Sequence, residues 1–347
     1  MKNEMYLSSF SLLEPDEIFY FYAPHWLNAW EAYLYNQALK STSASGWAFK
    51  RFGTDKDTYA REMIRKPRYI DYLESMEQAA DAALQQMTPR DRMLLLKSRA
   101  AFIYIDAWGE SSVFENITSA LHTSMIDTLP KNILKKFSIK NVTCKVRGEK
   151  FSLIQAMQLA QDYLHWQVFD FVIICGAYRT IPVLVFSDED TLAIKGSVKS
   201  KQKNGVQLSV ERTGCFIFSL RESGLRVSCG KYIAHGNVDD IQREMTKDLS
   251  EDDLLTFSGR KENVMRIIPQ TCINVVDLND IYGASGCLTP ALSWEYLLNN
   301  THPEKKMRTI LSDNFGGYSY FDTLFSSGVN YEQYNKRTPR NLYAGYL

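Results

Sequence analysis

The chain has 347 residues, 45% of them apolar and 23% charged, with 40 Lys plus Arg balanced by 40 Asp plus Glu. That composition excludes a disordered chain, leaves room for one large or two ordinary domains, and gives no support to a nucleic-acid or strongly acidic partner. Six cysteines form no CxxC pair and five histidines show no metal-ligand spacing. Free buried thiols, a reducing cytoplasmic setting and no metal are therefore expected. Acids stand too early in the first residues for a secretory leader, and no apolar run approaches the roughly 20 residues that span a bilayer.

In chain order, Met5 to Leu13 reads as a first strand ended by Glu14-Pro15. Aromatics crowd Phe19 to Leu39; Pro24 breaks the run, and a short helix follows from Trp26. Thr42 to Asp57 reads as a Ser/Gly-rich loop. Between Arg65 and Gln86, residues Tyr69, Tyr72, Met76, Ala79, Ala80 and Leu84 recur at helical spacing on one side. Ala100 to Asp106 is a buried strand by pattern, Gly109 to Ser112 a turn, Val113 to Thr128 a helix, and Pro130 to Lys150 a polar connector.

The stretch from Phe151 to Phe186 organises the rest. Leu153, Ala156, Met157, Ala160, Tyr163 and Leu164 share one helical face, with no Gly or Pro between them. Val168 to Cys175 is a short branched and aromatic run closed by Gly176, the pattern of a strand buried on both faces. A buried helix feeding a buried strand is the unit of a layered α/β protein.

The polar segment after Phe186 suggests a boundary between two halves, 1–190 and 191–347. Val206 to Ser219 and Leu225 to Ala234 read as adjacent strands around the turn Glu222-Ser223-Gly224. A helix over Val238 to Leu249 follows, then strands at Asp253 to Phe257 and Ile273 to Leu278. Ser285 to Asn299 starts a helix that tolerates Pro290 in its first turn. Met307 to Ser326 reads as strand, glycine turn, strand, and the tail after Asn330 is polar and Tyr-rich. The halves share an element order without sequence identity, as a divergent duplication would leave them.

Four stretches together resemble the thiolase superfamily, in particular the β-ketoacyl synthases. Tyr69 to Leu84 resembles an N-terminal Ala-rich helix. Phe151 to Ala177 resembles the helix after the nucleophile and its glycine-ended strand. Glu211 to Gly236 resembles the EGAAALVLE strand and the hairpin after it. Tyr282 to Gly286 and Asn314 to Tyr320 resemble the histidine-loop helix and the FGFGGTNA turn. The resemblance implies an α/β fold layered α-β-α-β-α from two similar halves, no cofactor, and a homodimer or a heterodimer with an active ketosynthase. An acyl carrier protein is a further partner it implies.

The family's chemistry uses a Cys at the N-terminus of the buried helix, where the helix end lowers the thiol pKa and backbone N–H groups form an oxyanion hole. Matching Ala156, Met157 and Ala160 puts Lys150 at that Cys, and Cys144 lies six residues upstream. Matching Gly286 puts Asp280 at the second histidine and Val275 at the family's lysine. The first histidine's loop falls on Thr256-Phe257-Ser258-Gly259-Arg260, with Ser258 at its centre; the turn Phe315-Gly316-Gly317 is retained. The expectation is a chain-length-factor-like protein that has lost condensing activity, with a Lys150–Asp280 salt bridge filling the vacated site. A repurposed acyltransferase using Lys150, Asp280 or Cys144 is the alternative, and a module binding a small molecule or peptide in the old pocket is the third reading. Cys144 with His235 or His302 as a thiol–imidazole pair, the acidic turn at Ser187 to Asp190 and the basic run at Lys199 to Lys203 read more simply as an ordinary thiol and solvated loops. The basic run could also greet an acidic carrier protein. Gly46, Gly53 and Gly109 form no phosphate loop.

Overall fold

The computed structural model describes residues 4–21, 29–42, 44–53, 69–106, 131–148, 150–180, 185–186, 205–234, 236–250, 252–259, 261–268, 274–300, 306–313 and 316–325. The helix expected over 113–128, the polar stretch 187–204, His235, His302, Phe315 and the tail after Asn330 lie outside these residues.

In chain order the first strands are β1 (Met5–Leu13), β2 (Phe19–Phe21), β3 (Gly46–Lys50), β4 (Ala100–Asp106), β5 (Cys144–Arg147), β6 (Phe171–Tyr178), β7 (Val206–Val210) and β8 (Arg212–Ser219). Then come β9 (Leu225–Cys229), β10 (Leu254–Ser258), β11 (Asn274–Asp277), β12 (Met307–Ser312) and β13 (Tyr318–Phe325). Ten of them form one sheet in the order β11-β10-β12-β13-β9-β1-β8-β6-β4-β5. Its two ends follow the same rule. In the first set β1 pairs antiparallel with β8, β8 antiparallel with β6, β6 parallel with β4, and β4 parallel with β5. In the second set β9 pairs antiparallel with β13, β13 antiparallel with β12, β12 parallel with β10, and β10 parallel with β11. The opening strands β1 and β9 pair antiparallel and join the sets. β8 completes the first set, so in strand topology the sets meet between Ser219 and Leu225, downstream of the 190/191 division suggested by composition.

The helices are α1 (Ala29–Thr42), α2 (Tyr69–Gln86), α3 (Pro89–Lys97), α4 (Lys131–Lys136), α5 (Ser152–His165), α6 (Val238–Thr246), α7 (Lys261–Met265), α8 (Leu278–Tyr282) and α9 (Leu292–Asn300). Three apolar cores separate the layers. Met76, Ala79, Ala80 and Ala83 of α2 pack on Phe102, Tyr104, Ile173 and Ile217, the outer face of the first sheet half. Ile241 and Met245 of α6 pack on Leu255, Phe257 and Ile310, the outer face of the second. Between the halves, α5 and α9 share a core with Phe10, Ile103, Val172 and Phe216 on one side and Val227, Leu254, Met307 and Phe321 on the other. The order is α-β-α-β-α, the expected five layers.

The middle layer explains its own sequence. Ser152, Ile154 and Gln161 of α5 are buried along with its apolar stripe, because this helix meets protein on more than one side. Its polar groups tie the halves together: Gln161 Oε1 accepts from the Cys229 N–H at 3.0 Å and Gln158 Nε2 donates to Gly230 O at 2.8 Å. Trp294 of α9 is fully buried, with the rings of Phe10, Phe216, Phe218 and Phe321 at centroid distances of 5.4–6.2 Å. At Gly176 a Cβ would overlap Ile105, so the glycine that closes the apolar run is required by close strand packing.

Several expectations need correction. β6 begins at Phe171, three residues after Val168, since Trp166 and Gln167 (φ 56) form the turn that ends α5. β3 occupies part of the expected loop at 42–57; it is held by β2 on one side and β7 on the other, pairings that no local pattern announces. The connector at 130–150 contains α4 and β5. Val206 to Ser219 is two strands in different sheets, and β8 is not the neighbour of β9. Both pair antiparallel with β1, which lies between them, so the turn at Glu222 to Gly224 carries the chain across the end of β1. Pro290 sits inside a 3₁₀ segment, Gly286–Ala291, and the α-helix proper begins after it.

Candidate active site and the fold it sits on

Each set has three parallel strands, β4, β5 and β6 in the first and β10, β11 and β12 in the second. In open α/β sheets ligands bind outside the carboxyl ends of such strands. The positions singled out in the sequence follow those ends. Lys150 comes three residues after β5 and leads into α5; Asp280 comes three residues after β11, within α8; Ser258 is the last residue of β10; Gly316 and Gly317 follow β12. By the topological repeat, Lys150 and Asp280 hold corresponding places after the third strand of their sets. Lys150 and Ser258 are half-buried and Asp280 is exposed.

Contacts among neighbouring residues draw these positions into one region. Phe151, at the N-cap position of α5, makes no side-chain cap, and its ring meets that of Tyr232 edge-on at 6.0 Å. The Tyr232 hydroxyl donates to Asp313 Oδ2 at 2.7 Å, while Asp313 Oδ1 accepts from the Gly317 N–H at 2.7 Å. The bond to Asp313 is the main reason that the Tyr232 phenol is pushed up to about 12. A Cβ at Gly317 would overlap the Tyr232 hydroxyl, so the retained glycine turn is what admits this tyrosine. On the neighbouring strand end, a Cβ on Gly259 (φ 127) would stand 2.5 Å from Ser312 Oγ. Asn279 Nδ2 donates to Gly259 O at 3.4 Å. Asp277 caps α8, accepting from the Asn279 and Asp280 N–H groups at 3.0 and 3.4 Å. Burial, and secondarily the Asp280 charge, pushes the Asp277 carboxyl up to about 6.

The segment after α8 is clamped from the first set of strands. Arg212 is 1% exposed. It pairs with Glu14 at 2.5 Å, donates to Tyr282 O at 2.5 Å and Gly283 O at 3.2 Å, and also reaches Ser285 Oγ. Ser285 Oγ donates to Val210 O at 2.7 Å, and β7 bonds the backbone of Ala284 on both sides. Gly283 (φ 76) has Leu208 and Val210 2.8 Å from where a Cβ would lie. Beside the clamp, burial pushes the Glu295 carboxyl up to about 7, against the pull of Arg212 and with the help of Glu14.

Cys144 opens β5, at the opposite end of that strand from Lys150, and burial raises its thiol. That disfavours the thiolate a nucleophile needs. Among the described residues no cluster of three His, Cys, Asp or Glu could hold a metal. Tyr232, Asp313, Arg212 and Asp277 escaped the sequence reading. Only Asp277 left a signal, an acid directly before a short helix.

No protein-family profile matches the chain, and no curated protein matches it in sequence. Solved structures do match its shape. The ishigamide ketosynthase/chain length factor is similar at TM-score 0.55 and 10% identity, over 93% of this chain and 99% of that one. The chain has the thiolase fold. AbyA1, a tetronic acid condensing enzyme, is similar at TM-score 0.52 and 11% identity over 92% of this chain and 99% of that one. ChlB3, described as an acyltransferase, follows at 0.51 and 10% over 93% and 98%. The duplicated strand order and central helix pair accord with that fold, and the matches cover 98–99% of those chains. Among the described residues no helix is long and apolar enough to cross a membrane.

Proposed function

We propose that this thiolase-fold chain is a ketosynthase-like protein that binds at the ends of its parallel strands but does not condense. The setting is a fatty-acid, polyketide or other secondary-metabolite pathway in the cytoplasm. The observation that carries the reading is Lys150 at the entrance to α5, where acyl transfer on this fold calls for a thiol. A lysine there supplies a positive charge and no thiolate. The resemblance sets Ser258 and Asp280 against the family's histidines, and neither supplies an imidazole. The glycine turn, the Arg212 clamp and the α5 glutamines nevertheless hold the region in shape. The assembly is a dimer, either of two such chains or of one with an active synthase, and the active synthase takes its acyl group from a carrier protein.

The test is intact mass spectrometry after incubation with acyl-thioester donors, with and without a synthase encoded nearby and its carrier protein. The expected result is no adduct on this chain, an adduct on the synthase, and co-purification of the two. A stable adduct on Lys150 or Cys144 would overturn the reading in favour of acyl transfer, the activity by which ChlB3 is described.

A further inference from the structure

We infer that Cys175 and Cys215 are an oxidisable dithiol, which a small peroxide converts into a disulfide that fastens β6 to β8. The inference does not depend on what the chain binds.

The register brings the two residues together. β6 and β8 pair antiparallel from Phe171 opposite Ser219 to Tyr178 opposite Arg212, and Cys175 stands directly opposite Cys215 within that ladder. Residues opposed in an antiparallel ladder have Cα atoms about 4.5–5.5 Å apart, inside the roughly 4.4–6.8 Å over which a disulfide closes. Opposed side chains leave the sheet on the same face. Here it is the outer face, where both thiols belong to the core that holds Ala79, Ala80 and Ala83 of α2. The Cys175 thiol donates to Cys215 Sγ at 3.3 Å. A disulfide needs about 2.0 Å between the sulfurs, an approach that small χ1 rotations supply with no change of register.

Proximity sets the product, and burial sets the rate. Cys175 is 3% exposed and Cys215 fully buried. Burial, and then the bond to Cys215, raises the Cys175 thiol, so thiolate is scarce and bulky reagents are kept out. Hydrogen peroxide is small enough to enter when the outer face opens locally. One thiol gives up its proton and attacks a peroxide oxygen. The O–O bond breaks, the hydroxide that leaves takes up the proton as water, and the sulfur becomes a sulfenic acid. The second thiol loses its proton and attacks that sulfur. The S–S bond forms, the S–O bond breaks, and the departing hydroxide takes up the second proton. Two thiols are thus oxidised by two electrons, and one peroxide is reduced to two waters. The disulfide joins strands that support the site from one side. Gly176, next to Cys175, packs on Ile105 and Leu288, and Arg212 at the start of β8 holds the segment after α8.

The experiment treats the folded full chain with hydrogen peroxide until Cys144 and Cys229 are fully oxidised. Remaining thiols are then alkylated in denaturant, and the peptides are mapped by mass before and after dithiothreitol. The expected result is a peptide pair joined through Cys175 and Cys215 that dithiothreitol separates. The bridge spans 40 residues of sequence, so the melting temperature of the treated chain should rise by about 5 °C and return on reduction. Cys175→Ala and Cys215→Ala should each give no bridged peptide and no such rise. The map on the unsubstituted chain decides the matter even where a variant fails to fold. Recovery of Cys175 and Cys215 as alkylated thiols or as sulfinic acids would overturn the inference. So would a bridge to another cysteine in their place, a bridge that forms only in the urea-unfolded chain, or a bridged chain that melts no higher than the untreated one.

Discussion

Glu295 provides a measurable link between the clamp beside the site and the stability of the whole chain. It lies in the first turn of α9, next to Arg212 and Glu14, and burial lifts its carboxyl from the ordinary 4.5 to about 7. A carboxyl whose folded-state pKa is raised holds its proton more tightly when folded. Between about 4.5 and 7 the native state binds more protons than the unfolded state, so stability falls as pH rises through that window and levels off above it. The full shift corresponds to roughly 3 kcal/mol, taken as an upper figure because the unfolded chain is not fully solvated. Asp277, raised to about 6, adds a fall of the same sign that is complete by a lower pH. Urea unfolding at half-unit steps from pH 5 to pH 8 should show declining stability up to pH 7 and little change beyond. In Glu295→Gln the decline above pH 6 should disappear, leaving the Asp277 portion. A wild-type curve that rises across pH 5–7, or a Glu295→Gln curve with the wild-type slope, would refute the argument.

Arg212→Met removes one partner of a buried ion pair and the donor for two carbonyls and a hydroxyl. A loss of about 3–5 kcal/mol in urea unfolding is expected, with partial recovery when Glu14→Gln is added. Trp294→Ala empties a space lined by aromatic rings from both sets of strands. It should cost about 3–5 kcal/mol and leave one cooperative calorimetric transition, since the cavity is common to both halves. Gly317→Ala forces Tyr232 away from Asp313. The Tyr232 phenol should then titrate below its wild-type value of about 12 in ultraviolet difference spectra, and Tyr232→Phe should abolish that titration step.

Much of the fold was written in local pattern. The stripe Met76, Ala79, Ala80 on α2, the stripe on α5 and the apolar run Ala100 to Ile105 of β4 each state which faces they bury, and all three elements stand where the pattern puts them. What local pattern cannot state is pairing across long sequence distances. The ladder that separates β8 from β9 comes from β1, more than 200 residues earlier, for example Phe10 opposite Phe216. β3 likewise depends on β7 for one edge. Val168 looked like the start of β6 because its side chain favours strands; a positive φ at Gln167 places it in a turn instead, where it is exposed. At the site, Lys150, Ser258 and Asp280 were singled out through resemblance. Arg212 and Tyr232 were not, since each is defined by partners at least 70 residues away.

The two sets of strands also say why the regions after the third strands keep their shape. In a duplicated fold the regions after the third strands face the central layer from both halves, and each entrance here is held by the other set. α5, from the first set, is tied to Cys229 and Gly230 at the end of β9, while the loop after α8, from the second, is tied to Arg212 at the start of β8. These ties occupy buried polar groups, whose mispairing would cost about 1–3 kcal/mol each. Such restraint holds α5 and the loop after α8 against the opposite set of strands, and preorganised groups serve binding as well as catalysis. Lys150→Cys should place a thiol at a helix end able to lower its pKa. Iodoacetamide labelling mapped by peptide mass should then be at least tenfold faster at position 150 than at Cys144, whose thiol is raised by burial. Equal labelling rates would mean that the end of α5 does not lower the pKa of a thiol placed before it.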